Sequence, residues 1–235
     1  MLTSLVLASL AGADIDATTF GQTMLAAALV ILTMGAATFV VAKLLRRSWR
    51  VLLAPMMYPN TGNMGLPVVL YAFGSAGFAY GITVMVTVSL FQFTLGAVLN
   101  SQGNPLKTLA KPPTVYAIAV SMALLLTNTS LPLWLANTVD LMSGFTVPLM
   151  LITLGVSLAS IQVKNLRSGL GFSLVRVPLA AVVAWLIAGW VGLPPLAQSI
   201  LVLQMCMPVA VFNYLFAQRA QREPVYVASL VFCST

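Results

Sequence analysis

The run Pro59-Asn60-Thr61-Gly62-Asn63-Met64-Gly65-Leu66-Pro67 places two prolines, two glycines and two carboxamides within nine residues. Proline removes a backbone donor and glycine weakens a helix, so a helix entering this run is interrupted there. The amides of Asn60 and Asn63 can donate and accept, and Gly62 and Gly65 let backbone come close to a ligand. Such a set can hold a small anion without a full positive side chain. A second run, Gln204-Met205-Cys206-Met207-Pro208-Val209-Ala210 with Asn213 beyond it, repeats the theme. Leu66-Pro67-Val68 and Met207-Pro208-Val209 read as counterparts.

Other chemistries lack their residues. There is no histidine, which removes imidazole zinc sites and nucleophiles activated by histidine. Cys206 and Cys233 sit in apolar stretches without metal-ligand spacing and read as small buried hydrophobes. The twelve methionines are scattered as packing residues are. An intramembrane protease needs serine with histidine, paired aspartates or a zinc motif, so the chain is not read as an enzyme, and no cofactor or metal is implied. Asp140 is the only acid well inside an apolar stretch. A carboxylate at a helix centre costs about 2.5–3.5 kcal/mol on insertion scales, which makes it the candidate coupling group. Its place near the outer end of its span, within reach of water, is the competing explanation.

The elements that position these residues are membrane helices. Hydrophobic residues make up 60% of the 235 and charged residues 6%, with a mean hydropathy of +1.01. An ordinary soluble domain carries about 25% charged residues. A span needs about 20 mostly apolar residues. Complete spans are expected near 20–42, 51–73, 76–99, 113–128, 133–160, 170–192 and 196–217, with partial ones at 1–12 and 224–235. Threading them alternately collects the basic residues on one side. Lys43, Arg46, Arg47 and Arg50 share one loop, Lys107 and Lys111 a second, Lys164 and Arg167 a third, Arg219 and Arg222 a fourth. Arg176, just inside the next helix, is expected to snorkel back to that side. Opposite loops hold Asp14 and Asp16 but neither lysine nor arginine. The basic side is therefore read as cytoplasmic, in the inner (plasma) membrane, and the +7 net charge reports orientation rather than nucleic-acid binding.

The spans holding the two breaks run in opposite directions, as in an inverted repeat. Discontinuous helices in corresponding positions of two halves point to a transport site, with half-helix N-termini facing an anion. Proline-kinked helices packed through glycine are the structural alternative. The first repeat is expected over 1–100, a cytoplasmic linker over 101–112 and the second repeat over 113–235, with helices cut short at both ends. The fold class is an all-α polytopic membrane protein with two broken crossing helices.

Asn60-x-Gly62-Asn63-x-Gly65-Leu66-Pro67 resembles the hallmark of the auxin efflux carrier family, which includes bacterial malonate and malate permeases and plant auxin carriers. Pro112-Pro113, Pro148 to Gly155 to Leu158, and Pro208 support the resemblance; Lys111 stands where relatives often place asparagine before the paired prolines. The resemblance implies ten helices in two inverted five-helix repeats, crossing broken helices at Pro67 and Pro208, an anionic substrate and elevator-like alternating access. The function so read is a secondary transporter of a small organic anion, a carboxylate, bound by Asn60, Gly62, Asn63, Gly65, Gln204 and Asn213. A non-transporting membrane fragment or interaction protein is the alternative. Proton coupling, sodium coupling and a homodimer stay open.

Overall fold

The computed structural model describes residues 17–96, 132–159 and 166–235, and these form helices joined by short turns. α1 (Ala17–Leu44) is apolar on every side, as a helix in lipid must be. Its buried stripe holds Ala26, Ala27, Val30, Ile31 and Met34, while Leu25, Leu32, Phe39 and Val40 face outward. Lys43 lies in the last turn, where a cation suits the helix dipole. α2 (Trp49–Met57) is short because Tyr58 is extended, at φ −114° and ψ 95°.

After Tyr58-Pro59-Asn60 the chain re-enters helix through a π-turn, Thr61–Gly65, which leads directly into α3 (Leu66–Phe91). The interruption therefore precedes Pro67, which lies in the first turn of α3. A proline ring clashes with the carbonyl four residues back. The wide π-turn, in which the N–H of Gly65 donates to the carbonyl of Asn60 at 3.0 Å, carries the backbone past that clash.

Gly74 has φ 65° and ψ −161°, a conformation open to glycine, and there the chain turns back on itself. Gly62 lies close to Met85, and a Cβ built on Gly81 would meet Val69 Cγ1 at 3.0 Å and Leu66 Cδ2 at 3.3 Å. The expected spans 51–73 and 76–99 thus meet at this residue as an antiparallel hairpin, whose second arm ends in another π-turn, Gln92–Gly96.

α4 (Leu133–Ala159), α5 (Leu166–Val191), α6 (Pro195–Met205), α7 (Phe212–Arg219) and α8 (Pro224–Ser234) complete the described chain. The expected spans at 1–12 and 113–128, the linker 101–112, and Asp14, Asp16, Lys107, Lys111, Pro112, Pro113 and Lys164 lie outside the described residues. Asp140 falls within α4, but its side chain lies outside what is described. Among the described residues, three helical stretches have the length and apolarity of a membrane span: Thr18–Leu44, Thr61–Gly96, which folds back at Gly74, and Leu166–Val191. The protein is an all-α membrane protein.

α5 is the packing axis. Gly169, Phe172, Arg176, Ala180, Ala184 and Ala188 recur every three or four residues and form its buried face. The small side chains among them, at Gly169, Ala180, Ala184 and Ala188, let α1, α6 and α8 approach; a Cβ on Gly169 would meet the Ser229 carbonyl at 2.6 Å. Leu174, Trp185 and Trp190 cover the opposite, exposed face. This register corrects the expectation for Arg176. It does not snorkel to the helix end but lies on the buried face, 1% exposed. Spacing along α5 decides this: Arg176 is in phase with Phe172 and Ala180, and so points into protein.

Candidate functional site: the crossing of two interrupted helices

Two proline-containing interruptions meet in space. Pro59 and Val209 form an isolated antiparallel bridge. The N–H of Asn60 donates to the carbonyl of Pro208 at 2.7 Å, and the N–H of Ala210 donates to the carbonyl of Tyr58 at 3.1 Å. In such a pair the residues that face each other without mutual hydrogen bonds turn their N–H groups outward. Pro59 therefore loses no bridging bond, and the outward N–H of Val209 is taken up by Ser234 Oγ at 3.0 Å. The bridge brings Pro208 beside Asn60, while Pro67 lies further along, in the first turn of α3.

The interruption leaves carbonyls without helical partners, because Pro59 has no N–H to offer Pro55. Arg176 fills that need. Its Nε donates to the Pro55 carbonyl at 2.9 Å and its Nη1 to the Met207 carbonyl at 2.8 Å. One guanidinium on α5 thus holds the C-terminal ends of α2 and α6 together. Asn213 adds a strut, its Nδ2 donating to the Tyr58 carbonyl at 3.0 Å.

On the side of the crossing where the second half-helices begin lies a cavity of about 70 Å³. Asn60, Gly62 and Asn63 line it from the π-turn, and Gln92 from the returning arm of the hairpin. Phe93 and Phe212 close one wall as an edge-to-face pair with centroids 5.6 Å apart. Asn60 and Gln92 are each 5% exposed, and neither Asn60 Nδ2 nor Gln92 Nε2 has a hydrogen-bond partner. Buried donors are almost always satisfied, so two such amides on one small cavity mark a place for an acceptor.

The remaining sequence candidates are placed differently. Gly65 does not line the cavity; it packs against Gln204, whose amide a Cβ at position 65 would strike. Gln204 is fully buried, with Nε2 donating to the Gly81 carbonyl at 3.3 Å and Oε1 unpartnered. Asn213 Oδ1 is likewise unpartnered, beside the crossing rather than in the cavity. Pro67 lies one turn beyond the interruption and Pro208 within its own.

Sequence reasoning missed Gln92, Arg176 and Tyr58. Gln92 had a signal, as the only carboxamide between Met64 and Gly96. Arg176 had one as well, being a cation a full turn and more inside an apolar helix. Tyr58 contributes its backbone to the crossing, which side-chain chemistry does not announce. Its hydroxyl donates to the Phe91 carbonyl at 3.2 Å, and its ring lines a larger cavity of about 270 Å³ that also contains Trp49, Arg50 and Arg222.

The sequence pattern described as "Membrane transport protein" matches residues 98–235. An uncharacterized transporter of the archaeon Methanocaldococcus jannaschii is 25% identical over 189 residues, an alignment that covers 76% of this chain and 61% of that protein. The chain therefore spans less than two thirds of the length of this relative. The pattern takes in the Pro208 interruption, whereas the Asn60–Pro67 motif lies ahead of it.

Proposed function

Because the chain belongs to the membrane transport protein family, that of the auxin efflux carriers, we propose that it works in a secondary transporter whose crossing binds the carboxylate of a small organic anion. The observation that carries this reading is the pair of buried, unpartnered donors, Asn60 Nδ2 and Gln92 Nε2, on a cavity at the start of both second half-helices. Each helix N-terminus contributes roughly half a positive charge together with spare N–H groups. Donors and poles of one sign converge on a volume that suits a carboxylate group. The rest of the ligand would extend beyond it.

Helix lengths support a site deep in the bilayer. α6 has 11 residues and α7 has 8, which at 1.5 Å per residue gives about 16 Å and 12 Å. With the link between them they match the roughly 30 Å hydrocarbon core, leaving the interruption near its middle. Irregular backbone at that depth is tolerated where protein or a watered cavity surrounds it.

The antiparallel bridge also supports an inverted repeat. In the register of that bridge, Asn63 and Asn213 stand at the same sequence offset from Pro59 and Val209. On this reading 1–100 and 113–235 are the two repeats, joined by 101–112. The substrate crosses by an elevator-like movement, Asp140 is the candidate coupling group, and the basic loops face the cytoplasm. Uptake of labelled carboxylates into vesicles, with the protein expressed from its complete reading frame, tests the reading. Asn63→Ala and Pro208→Ala are expected to lower uptake at least tenfold; unchanged uptake in both would remove the crossing from the mechanism.

A further inference from the structure

We propose that Arg176 is the positioning residue that gives the crossing its anion-binding character: it neutralises the C-terminal poles of α2 and α6, leaving the N-terminal poles of the second half-helices uncompensated. This rests on the organic-anion reading above and names the residue that sets its electrostatics. Four helix ends meet at the crossing. Two are C-terminal and two N-terminal, each carrying about half an elementary charge, negative and positive respectively. Left alone, the poles would cancel and the cavity would have little preference for either sign.

Arg176 changes that balance. Its guanidinium, which stays charged in proteins, donates to Pro55 and Met207, at the ends of the two C-terminal poles. It is 1% exposed, so water does not screen it. Among the described residues Arg47 pairs with Glu223, and no carboxylate meets Arg176. One full positive charge set against two negative half-charges leaves the N-terminal poles free, on the side where Asn60 and Gln92 hold out unpartnered donors. Arg176 is not among the residues lining that cavity. It acts through the helix ends and through the field, without touching the ligand.

A charge acting at a distance has a signature that a structural clamp lacks: its effect scales with the charge of the ligand. The test is uptake into proteoliposomes at pH 7.5 of two probes, singly charged phenylacetate and doubly charged malonate, by wild type, Arg176→Gln and Arg176→Lys. Arg176→Gln is expected to raise KM for phenylacetate on the order of tenfold and for malonate on the order of a hundredfold, with the maximal rate changed less than about threefold. Arg176→Lys keeps the charge and should hold both KM values within about threefold. Should Arg176→Gln fail to fold, Arg176→Lys decides: a rise in KM as large as that expected from losing the charge overturns the proposal. Equal shifts for the two probes, or none, in a folded Arg176→Gln protein also overturn it while leaving the transport reading intact. If wild type takes up neither probe, the organic-anion reading fails and this proposal with it.

Discussion

The N–H of Asn60 donates to the carbonyl of Pro208 at 2.7 Å, while the side-chain amide nitrogen of the same asparagine meets no acceptor. One residue thus ties two distant interruptions together and keeps a buried donor in reserve beside a cavity. Backbone and side chain do different work here. A substitution at this position can remove the donor and leave the tie in place.

Asn60→Ala and Gln92→Ala should therefore lose binding and keep stability. A hydrogen bond to a charged acceptor contributes about 1.5–3 kcal/mol, so each variant should raise the KM for a carboxylate by roughly 10- to 100-fold. Because each removes a buried donor that has no partner in the empty protein, thermal unfolding in detergent should move by no more than about 2 °C or shift upward. A marked fall in melting temperature with KM unchanged would mean that these amides hold the fold and not a ligand.

Two glycines of the same motif should behave differently. A Cβ at Gly65 would strike the Gln204 amide, which is buried and held against Gly81, whereas a Cβ at Gly62 would meet Met85 Sδ at an ordinary 3.7 Å. Gly65→Ala should destabilise by about 1–3 kcal/mol, the usual cost of overpacking, and Gly62→Ala by less than about 1 kcal/mol. Shortening the neighbour in the double variant Gly65→Ala, Gln204→Ala should recover part of the loss. Equal melting temperatures for the two single variants would contradict the packing described.

How much of this could be read from the sequence differs from residue to residue. Among the described residues, composition and span length anticipated the helices, because a chain in lipid must satisfy its backbone internally and has few ways to do so. Asn60, Gly62 and Asn63 stood out in the sequence as amides and glycines amid prolines, and they line the cavity at the crossing. The exact interruption was not: Pro67 looked like the break, yet a proline is tolerated in a first turn, and the chain had already opened at Tyr58. Arg176 was misplaced because proximity to a helix end suggested snorkelling, while its phase with Phe172 and Ala180 fixed it inward. Phase along a helix decides burial more firmly than distance from its end.

The ion pair of Arg47 with Glu223 contrasts with Arg176. Its atoms are 3.3 Å apart on side chains 36% and 47% exposed, so it contributes about 0–1 kcal/mol and is weakened by salt. Glu223→Gln should lower the melting temperature by less than about 3 °C, and by less still in about 0.5 M salt, where the screening length is roughly 4 Å. Arg47 also lies 4.5 Å from the centroid of the Tyr226 ring. Arg47→Ala should therefore cost about 0.5–1 kcal/mol more than Glu223→Gln. Identical losses would show that the ring contact adds nothing.

Orientation can be tested without knowing the substrate. The α7–α8 turn carries Arg219 and Arg222, and the α5–α6 turn around Gly192 carries no lysine or arginine; on the proposed orientation, with basic loops cytoplasmic, the two turns lie on opposite faces. With Cys206 and Cys233 replaced by alanine, Gln221→Cys and Pro195→Cys each put one thiol at an exposed position, on the first and second turn respectively. A membrane-impermeant maleimide added to intact cells should label Pro195→Cys, and Gln221→Cys should react only after the membrane is opened. Labelling of both from outside would require an even number of crossings between the two positions. α6 and α7 would then form a re-entrant hairpin rather than one interrupted span, and the central placement of the crossing would fall with it.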